Sequence, residues 1–184
     1  MFNGAYVTTT ILRKARLDDA LELSKLAEGT FRATFGAVNT AEHMELHCRE
    51  SYSQDIQAAE ISNSQILTLL GENDGSLIGY AQMRWGKVPE CVVAQRPAEI
   101  NRLYVAEQWH GKGIAQELMN ACIEAAQECG SDAVWLGVWE RNLRAISFYR
   151  KLSFIEVGDH TFQLGGDPQR DIVMVRSLNL GRNI

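Results

Sequence analysis

QWHGKGIAQELM, residues 108–119, sets two glycines around a lysine just ahead of a segment with helical periodicity. Glycine loses more backbone freedom on ordering than any other residue, so two of them at the mouth of a helix point to a backbone that must stay bare. Ile114, Leu118, Cys122, Ala125 and Cys129 recur at the spacing of one helix face, and Gly130 stands where a helix C′ residue belongs. Upstream, EINRLYVA (99–106) reads as a strand. The glycines therefore occupy a strand-to-helix junction. A Walker A loop needs glycine at 106 and Ser or Thr at 113, where Ala106 and Gly113 stand. A dinucleotide fingerprint needs Gly or Ala at 116, where Gln116 stands, and no acidic residue follows in the expected place. What remains, Gln108-x-x-Gly111-x-Gly113-x-Ala115, has two readings. Unpaired N–H groups and a positive dipole end of roughly half a charge make an anion site, and bare glycines let a pyrophosphate reach the backbone. The other reading is a tight turn that holds no ligand.

Outward from this junction, strands and helices succeed one another. TTTILRKA (8–15) reads as the first strand, and Asp18 can cap a helix through LELSKLAEGTFRATF that Gly36 to Thr40 interrupt. A second helical stretch starts near Thr40 and fades by Ser62. QILTLL (65–70) and SLIGYAQMRW (76–85) flank GENDG as a hairpin, and KVPECVVAQRP is a loop. Beyond the glycines and their helix come the apolar strand AVWLGVW (133–139) and a short helix from Asn142 to Leu152. FIEVGDHTFQL and DIVMVRSL close the chain as two strands around a GGDP turn. This order predicts an α/β fold, a mixed sheet of about seven strands with four helices.

Composition narrows the function. The 184 residues are 46% hydrophobic and 22% charged, which suits one domain over 1–184 with a substantial core. A net charge of −5 argues against general nucleic-acid binding. MFNGAYVTTTILRKA lacks the apolar region of a signal peptide, and no apolar run approaches the ~18 residues of a membrane span. Cys48, Cys91, Cys122 and Cys129 form no CxxC pair and read as reduced thiols of a cytoplasmic protein. His43 and His47 have chelating i, i+4 spacing, but HMELH is not HExxH and offers no third ligand, so two surface helix histidines are expected. Trp135 and Trp139 share a strand face and are expected to pack the core.

EINRLYVAEQWHGKGIAQELM resembles the acetyl-CoA-binding motif of the GNAT N-acyltransferases, Q/R-x-x-G-x-G/A after a strand. WLGVWERNLRAISFYRKLSFIEVG resembles the strand–helix–strand that follows in that family, with its N…A..FY.K.GF pattern, and the resemblance runs from about residue 10 to 178. WLGVWERN followed by FIEVGDHTFQLGGDPQRDIVMV is similar to the PaiA-type polyamine acetyltransferases, as is TFRATFG followed by EHMELHCRESY. The resemblance implies the GNAT fold with its mostly antiparallel sheet, acetyl-CoA as cosubstrate and no metal. It implies direct acetyl transfer to a primary amine, with a polyamine such as spermidine or spermine leading. The alternatives are a protein or peptide amine, or a non-catalytic acyl-CoA-binding regulator. By the same resemblance the coenzyme pyrophosphate sits on the amides of 108 to 115, where Gln108, Gly111, Lys112, Gly113, Ile114 and Ala115 are the contacts, with Gln116 beside them. The pantetheine arm pairs with the backbone of Leu103, Tyr104 and Val105, Asn142 hydrogen-bonds the arm, and Lys151 of FY.K lies with the cofactor. Neither nucleic acid nor membrane is implied as a partner, and a homodimer is left open.

Asn142 and Tyr149 lie two helical turns apart and share a face. In the family the matching Tyr offers its phenol to the thioester sulfur. A phenol of pKa about 10 stays protonated at neutral pH and can donate to a stronger base formed beside it. Without the pattern around it, Tyr149 reads as half-buried core. The amine must also lose a proton, since only about one alkylamine in 2,500 is neutral at pH 7. Glu99 matches the glutamate base of some members, with a solvated strand-end carboxylate as the alternative. Asn101 stands on the same expected face, where polyamine-type members often carry a second acid. Ser153 replaces the usual glycine of K.GF, at about 1 kcal/mol if its backbone is left-handed. Residues 41–60 carry Glu42, Glu45, Glu50, Asp55 and Glu60 against Arg49 alone, which reads either as an acidic wall for a cationic acceptor or as a solvated helix face.

Overall fold

The structure, a computed structural model, describes residues 10–178, so Thr8 and Thr9 of the expected first strand lie outside it. Chain order is β1 (Ile11–Lys14), α1 (Ala20–Phe35), α2 (Ala41–Tyr52), α3 (Gln54–Ser62), β2 (Ile66–Asn73), β3 (Ser76–Arg84), β4 (Pro97–Val105), α4 (Ile114–Glu128), β5 (Ala133–Trp139), α5 (Leu143–Lys151), β6 (Ile155–Leu164) and β7 (Asp167–Ser177). Short 3-10 turns precede α1 (Leu17–Asp19) and α4 (Glu107–Trp109). The seven strands form one sheet in the order β1-β2-β3-β4-β5-β7-β6. All neighbours are antiparallel except β4 and β5.

Local chemistry explains the boundaries. The helical stretch expected from Thr40 to Ser62 is two helices, which makes five rather than four. The Thr40 hydroxyl accepts from the His43 N–H at 3.2 Å, and the Ser53 hydroxyl accepts from the Ile56 N–H at 3.4 Å, so each residue caps its own helix. Asp19, not Asp18, organises the start of α1. Its carboxylate accepts the Arg16 N–H at 2.7 Å and two bonds from Arg13. Asp74 and Gly75 turn the β2–β3 hairpin with φ of 48° and 75°, the backbone twist a two-residue hairpin turn favours.

The sheet is buried on both faces. On one, Leu118, Met119 and Cys122 of α4 pack with Ala81, Met83, Val134, Leu136, Ile146 and Met174. On the other, Leu23, Ala27 and Phe31 of α1 and Met44 and Tyr52 of α2 pack with Leu70, Tyr80 and Leu164. Trp135 joins a smaller cluster with Val92, Val173 and Val175.

Two irregularities position the site. First, β4 and β5 pair only through Pro97–Ala133, Ala98–Val134 and Glu99–Trp135, and part beyond them. Second, Gln82 faces Arg102 while Met83 faces Ile100, so Asn101 is an extra, bulged residue in β4. A bulge bends its strand and breaks alternation. Glu99, Asn101 and Arg102 consequently all reach partners on the α1–α3 face, namely Arg84, Gln82 and Glu60. Strict alternation would have turned Asn101 and Arg102 apart.

Candidate active site

Where β4 and β5 part, a cavity of about 340 Å³ opens. That is the size range of small-molecule sites. Its walls come from Ile100 to Tyr104 on β4, Gly137 to Trp139 on β5, and Asn142, Ala145 and Tyr149 of α5. Phe31 and Phe35 of α1, with His47, Ser51 and Tyr52 of α2, cover one side, and Phe162, Leu164, Gln169 and Asp171 of the β6–β7 hairpin cover another. The Gln169 side-chain amide donates to Asn39 Oδ1 at 2.6 Å, tying that hairpin to the turn between α1 and α2.

At one end of this gap lies the glycine junction. Gly111 and Gly113 have φ of 76° and 87°, left-handed values that L side chains rarely adopt, and a Cβ built on either meets no atom within 4 Å. Backbone conformation, not crowding, favours glycine here. Gly113 is the N-cap of α4, and no side chain caps this helix, so the N–H groups of its first turn have no partner within the helix. Ile114 is anchored in the core, while Gln108 and Gln116 are exposed. Gln116 donates to Asn120 Oδ1 at 3.2 Å. The Lys112 ammonium lies over the Trp109 ring, 4.2 Å from its centroid. His110 braces the junction: one ring nitrogen lies 2.8 Å from the Val105 carbonyl oxygen and the other 3.1 Å from an Arg144 nitrogen on α5.

Leu103, Tyr104 and Val105 pair with Ala81, Tyr80 and Gly79 of β3 but have no β5 partner on their other edge. Asn142 and Tyr149 do share a face of α5, and both line the cavity. Asn142 also caps α5, its Oδ1 accepting the Ala145 N–H at 3.1 Å, which leaves its NH₂ group for a ligand. Tyr149 is buried, and burial pushes its phenol above the usual value. Lys151 ends the helix as an exposed side chain away from the cavity lining.

Several expectations change. Glu99 is buried but does not line the cavity, and both its oxygens are taken by Arg84, at 2.6 and 2.9 Å. Asn101 donates to Gln82 Oε1 at 2.8 Å, in a polar chain that continues through Glu60 to Arg102. His47 is no surface residue. It stacks on Phe31 with ring centroids 4.5 Å apart, and burial, then the Arg102 charge, holds its imidazole below the usual value. The acids of α2 and α3 form no cavity wall. Glu45 pairs with Arg32 at 2.7 Å and Glu60 with Arg102 at 2.6 Å, and the cavity receives His47, Ser51 and Tyr52, on or beside the apolar stripe of α2. Trp135 packs as expected, but Trp139 faces the cavity, with Phe35 5.9 Å away edge-on. Trp139 and Asp171 were missed from the sequence as site residues. A readable signal existed for Asp171: in DIVMV it shares its strand face with Val173 and Val175, an acid on an apolar stripe. Among the described residues, no group of three or more His, Cys, Asp or Glu side chains could hold a metal ion.

A parallel strand pair that parts over a cavity, followed by a glycine-lined helix start, offers an open strand edge and an anion site to one extended ligand. The Acetyltransferase (GNAT) family matches residues 30–154, and the chain belongs to that family. It is 33% identical over 162 residues to an uncharacterized N-acetyltransferase of Mycobacterium tuberculosis, covering 88% of this chain and 99% of the relative. It is 28% identical over 147 residues to a spermidine N(1)-acetyltransferase of Thermoplasma acidophilum, covering 78% of this chain and 86% of that one. Among solved structures, the PaiA N-acetyltransferase of Thermoplasma acidophilum in complex with coenzyme A superposes with a TM-score of 0.76 at 25% identity, covering 92% of this chain and 99% of that one.

Proposed function

We propose that this chain binds acetyl-CoA along the gap between β4 and β5 and transfers acetyl directly to a primary amine, with a polyamine such as spermidine as the acceptor. The unpaired β4 edge and Tyr149 on one cavity, with an uncapped glycine-lined helix start following directly on β4, carry this reading. The pyrophosphate rests on the amides of residues 108 to 115, where the helix dipole is positive. The pantetheine arm extends β4 at Leu103 to Val105 as an added strand, and the Asn142 NH₂ group donates to it. The neutral amine nitrogen attacks the thioester carbonyl carbon, and the carbon–sulfur bond breaks as the nitrogen–carbon bond forms. The amine loses one proton and the departing sulfur gains one. Tyr149, kept protonated by burial, donates to the sulfur as charge builds there, and the proton released by the attacking nitrogen restores the phenol. Glu99 fixes Arg84 at the cavity edge, and becomes a base only when Arg84 releases one of its oxygens.

The similarity to spermidine and PaiA-type acetyltransferases supports the polyamine acceptor. Among the described residues no helix is long and apolar enough to cross a membrane, and we place the enzyme in the cytoplasm, with its acetyl-CoA. The test is acetyl-CoA turnover with spermidine, spermine, simple alkylamines and peptide amines, on the native enzyme and Tyr149→Phe. Spermidine should be preferred, and Tyr149→Phe should lose about 10²–10⁴ in kcat with acetyl-CoA affinity retained. Activity on peptides with silence on every polyamine would retire the polyamine. Full activity of Tyr149→Phe would remove the phenol from the mechanism.

A further inference from the structure

The cavity holds one charge that the reaction chemistry above does not use. Of the described residues lining it, Asp171 is the only Asp or Glu. It sits in β7 between Trp139 of β5 and His160 of β6. Its side chain is 13% exposed. Desolvation alone perturbs the carboxyl, without a hydrogen bond or charge from a described residue to offset it, and pushes it up to about 6. The nearest basic nitrogen, His160 Nε2, is 4.0 Å away, too far for a hydrogen bond, and is itself buried without a partner. Arg170, next in sequence, turns to Glu140 and Asp159 instead. The other full charges on the wall, Arg84 and Arg102, are matched by Glu99 and Glu60.

Backbone geometry keeps this place open. A Cβ at Gly137 would lie 2.6 Å from His160 Nε2 and 3.3 Å from Asp171 Oδ2, so only a bare β5 backbone leaves room for the pair. Trp139, the cross-strand neighbour of Asp171, and Phe35 and Phe162 add aromatic surface to the same cavity. A carboxylate withdrawn from water with no partner is unfavourable, and in a ligand cavity the partner it lacks is a cationic ligand. Aromatic faces attract the same kind of ligand.

We propose that Asp171 is the acceptor-recognition residue, its carboxylate receiving a non-reacting ammonium group of a di- or polyamine. The choice of nitrogen follows from the chemistry. The attacking amine must be neutral, so an ion pair that lasts through the transfer belongs to a different nitrogen of the same molecule. This rests on the amine-acceptor reading above and deepens it: acceptors with a second positive charge are selected over monoamines, through KM.

The experiment is steady-state kinetics with spermidine, 1,3-diaminopropane and propylamine on the native enzyme, Asp171→Asn and Asp171→Glu. Asp171→Asn should raise the spermidine KM about 10–100-fold, the size of a lost charge-assisted hydrogen bond. The preference for spermidine over propylamine should collapse by the same factor, and Asp171→Glu should restore part of it. Tyr149→Phe, which acts on kcat, should leave that preference in place. A spermidine KM unchanged in Asp171→Asn, or a loss equal for monoamine and polyamine, overturns the assignment while amine acetylation stands. If Asp171→Asn loses its circular dichroism, Asp171→Ser carries the test, and an unaltered preference for spermidine over propylamine in that charge-removing variant overturns it. An enzyme silent on every amine sinks the acceptor reading and this inference together.

Discussion

Burial acts on Tyr149 and Asp171 in the same direction and with opposite consequences. The phenol is already neutral at pH 7, and raising it keeps the proton in place across the physiological range. The carboxyl is moved from 3.8 to about 6, so at pH 7 it is a buried anion. The folded protein holds this proton more tightly than the unfolded chain does. Stability from Asp171 is therefore fully present below about pH 4 and is lost as pH rises through 6, a loss of up to about 3 kcal/mol. Asp171→Asn removes that loss. Its Tm, without amine, should match the native protein's near pH 4 and exceed it by several degrees at pH 7.5. Equal Tm values at pH 7.5 would show that the carboxylate is not held at a cost. That Asn142 and Tyr149 face one cavity was legible in the sequence, because they stand seven residues, two helical turns, apart. The pairing of Glu99 with Arg84 was not, since it joins different strands across a register that a bulge has shifted. Ser153 does stand at φ 65°, with the roughly 1 kcal/mol cost its side chain implies there.

At the scale of elements, the strand–glycine–helix unit is the part most fully readable from sequence. Strand period, helix period and two glycines at the change between them agree, and the structure places β4, the left-handed glycines and α4 in that order. Gly111→Val tests the unit. The open space at its Cβ means no protein clash, so the local cost is the strain of a branched residue in a left-handed backbone, about 1–2 kcal/mol. Relief of that strain would turn the loop amides away from the position proposed for the phosphates. Calorimetry should show coenzyme A binding weakened at least about tenfold with the far-ultraviolet circular dichroism retained. Unchanged affinity in a folded variant would move the pyrophosphate elsewhere. The α2–α3 region was less legible. Its acids dominate the composition, yet a helix shows a cavity only one stripe, and here that stripe carries His47, Ser51 and Tyr52.

Across the whole molecule, the strand order could be read as a succession but not as a geometry. No local pattern announces where two parallel strands stop pairing, because that depends on the bend at Asn101 and on α5 and the β6–β7 hairpin held against the far side. The parting also has a mechanical meaning. The four-stranded and three-stranded halves of the sheet meet along a seam only three residue pairs long, with α4 laid across it. On the binding mode proposed above, a cofactor extended along the open part of that seam would be mortar between two slabs, and its binding energy would become cohesion of the protein. Saturating coenzyme A at about 100 times its Kd should add about 2.7 kcal/mol to unfolding. The gain should be local as well as global. Amide hydrogen exchange should slow most at residues 103–105 and 108–115, with little change in the β2–β3 hairpin. Protection spread evenly over the sheet would mean that the seam is already closed without its mortar.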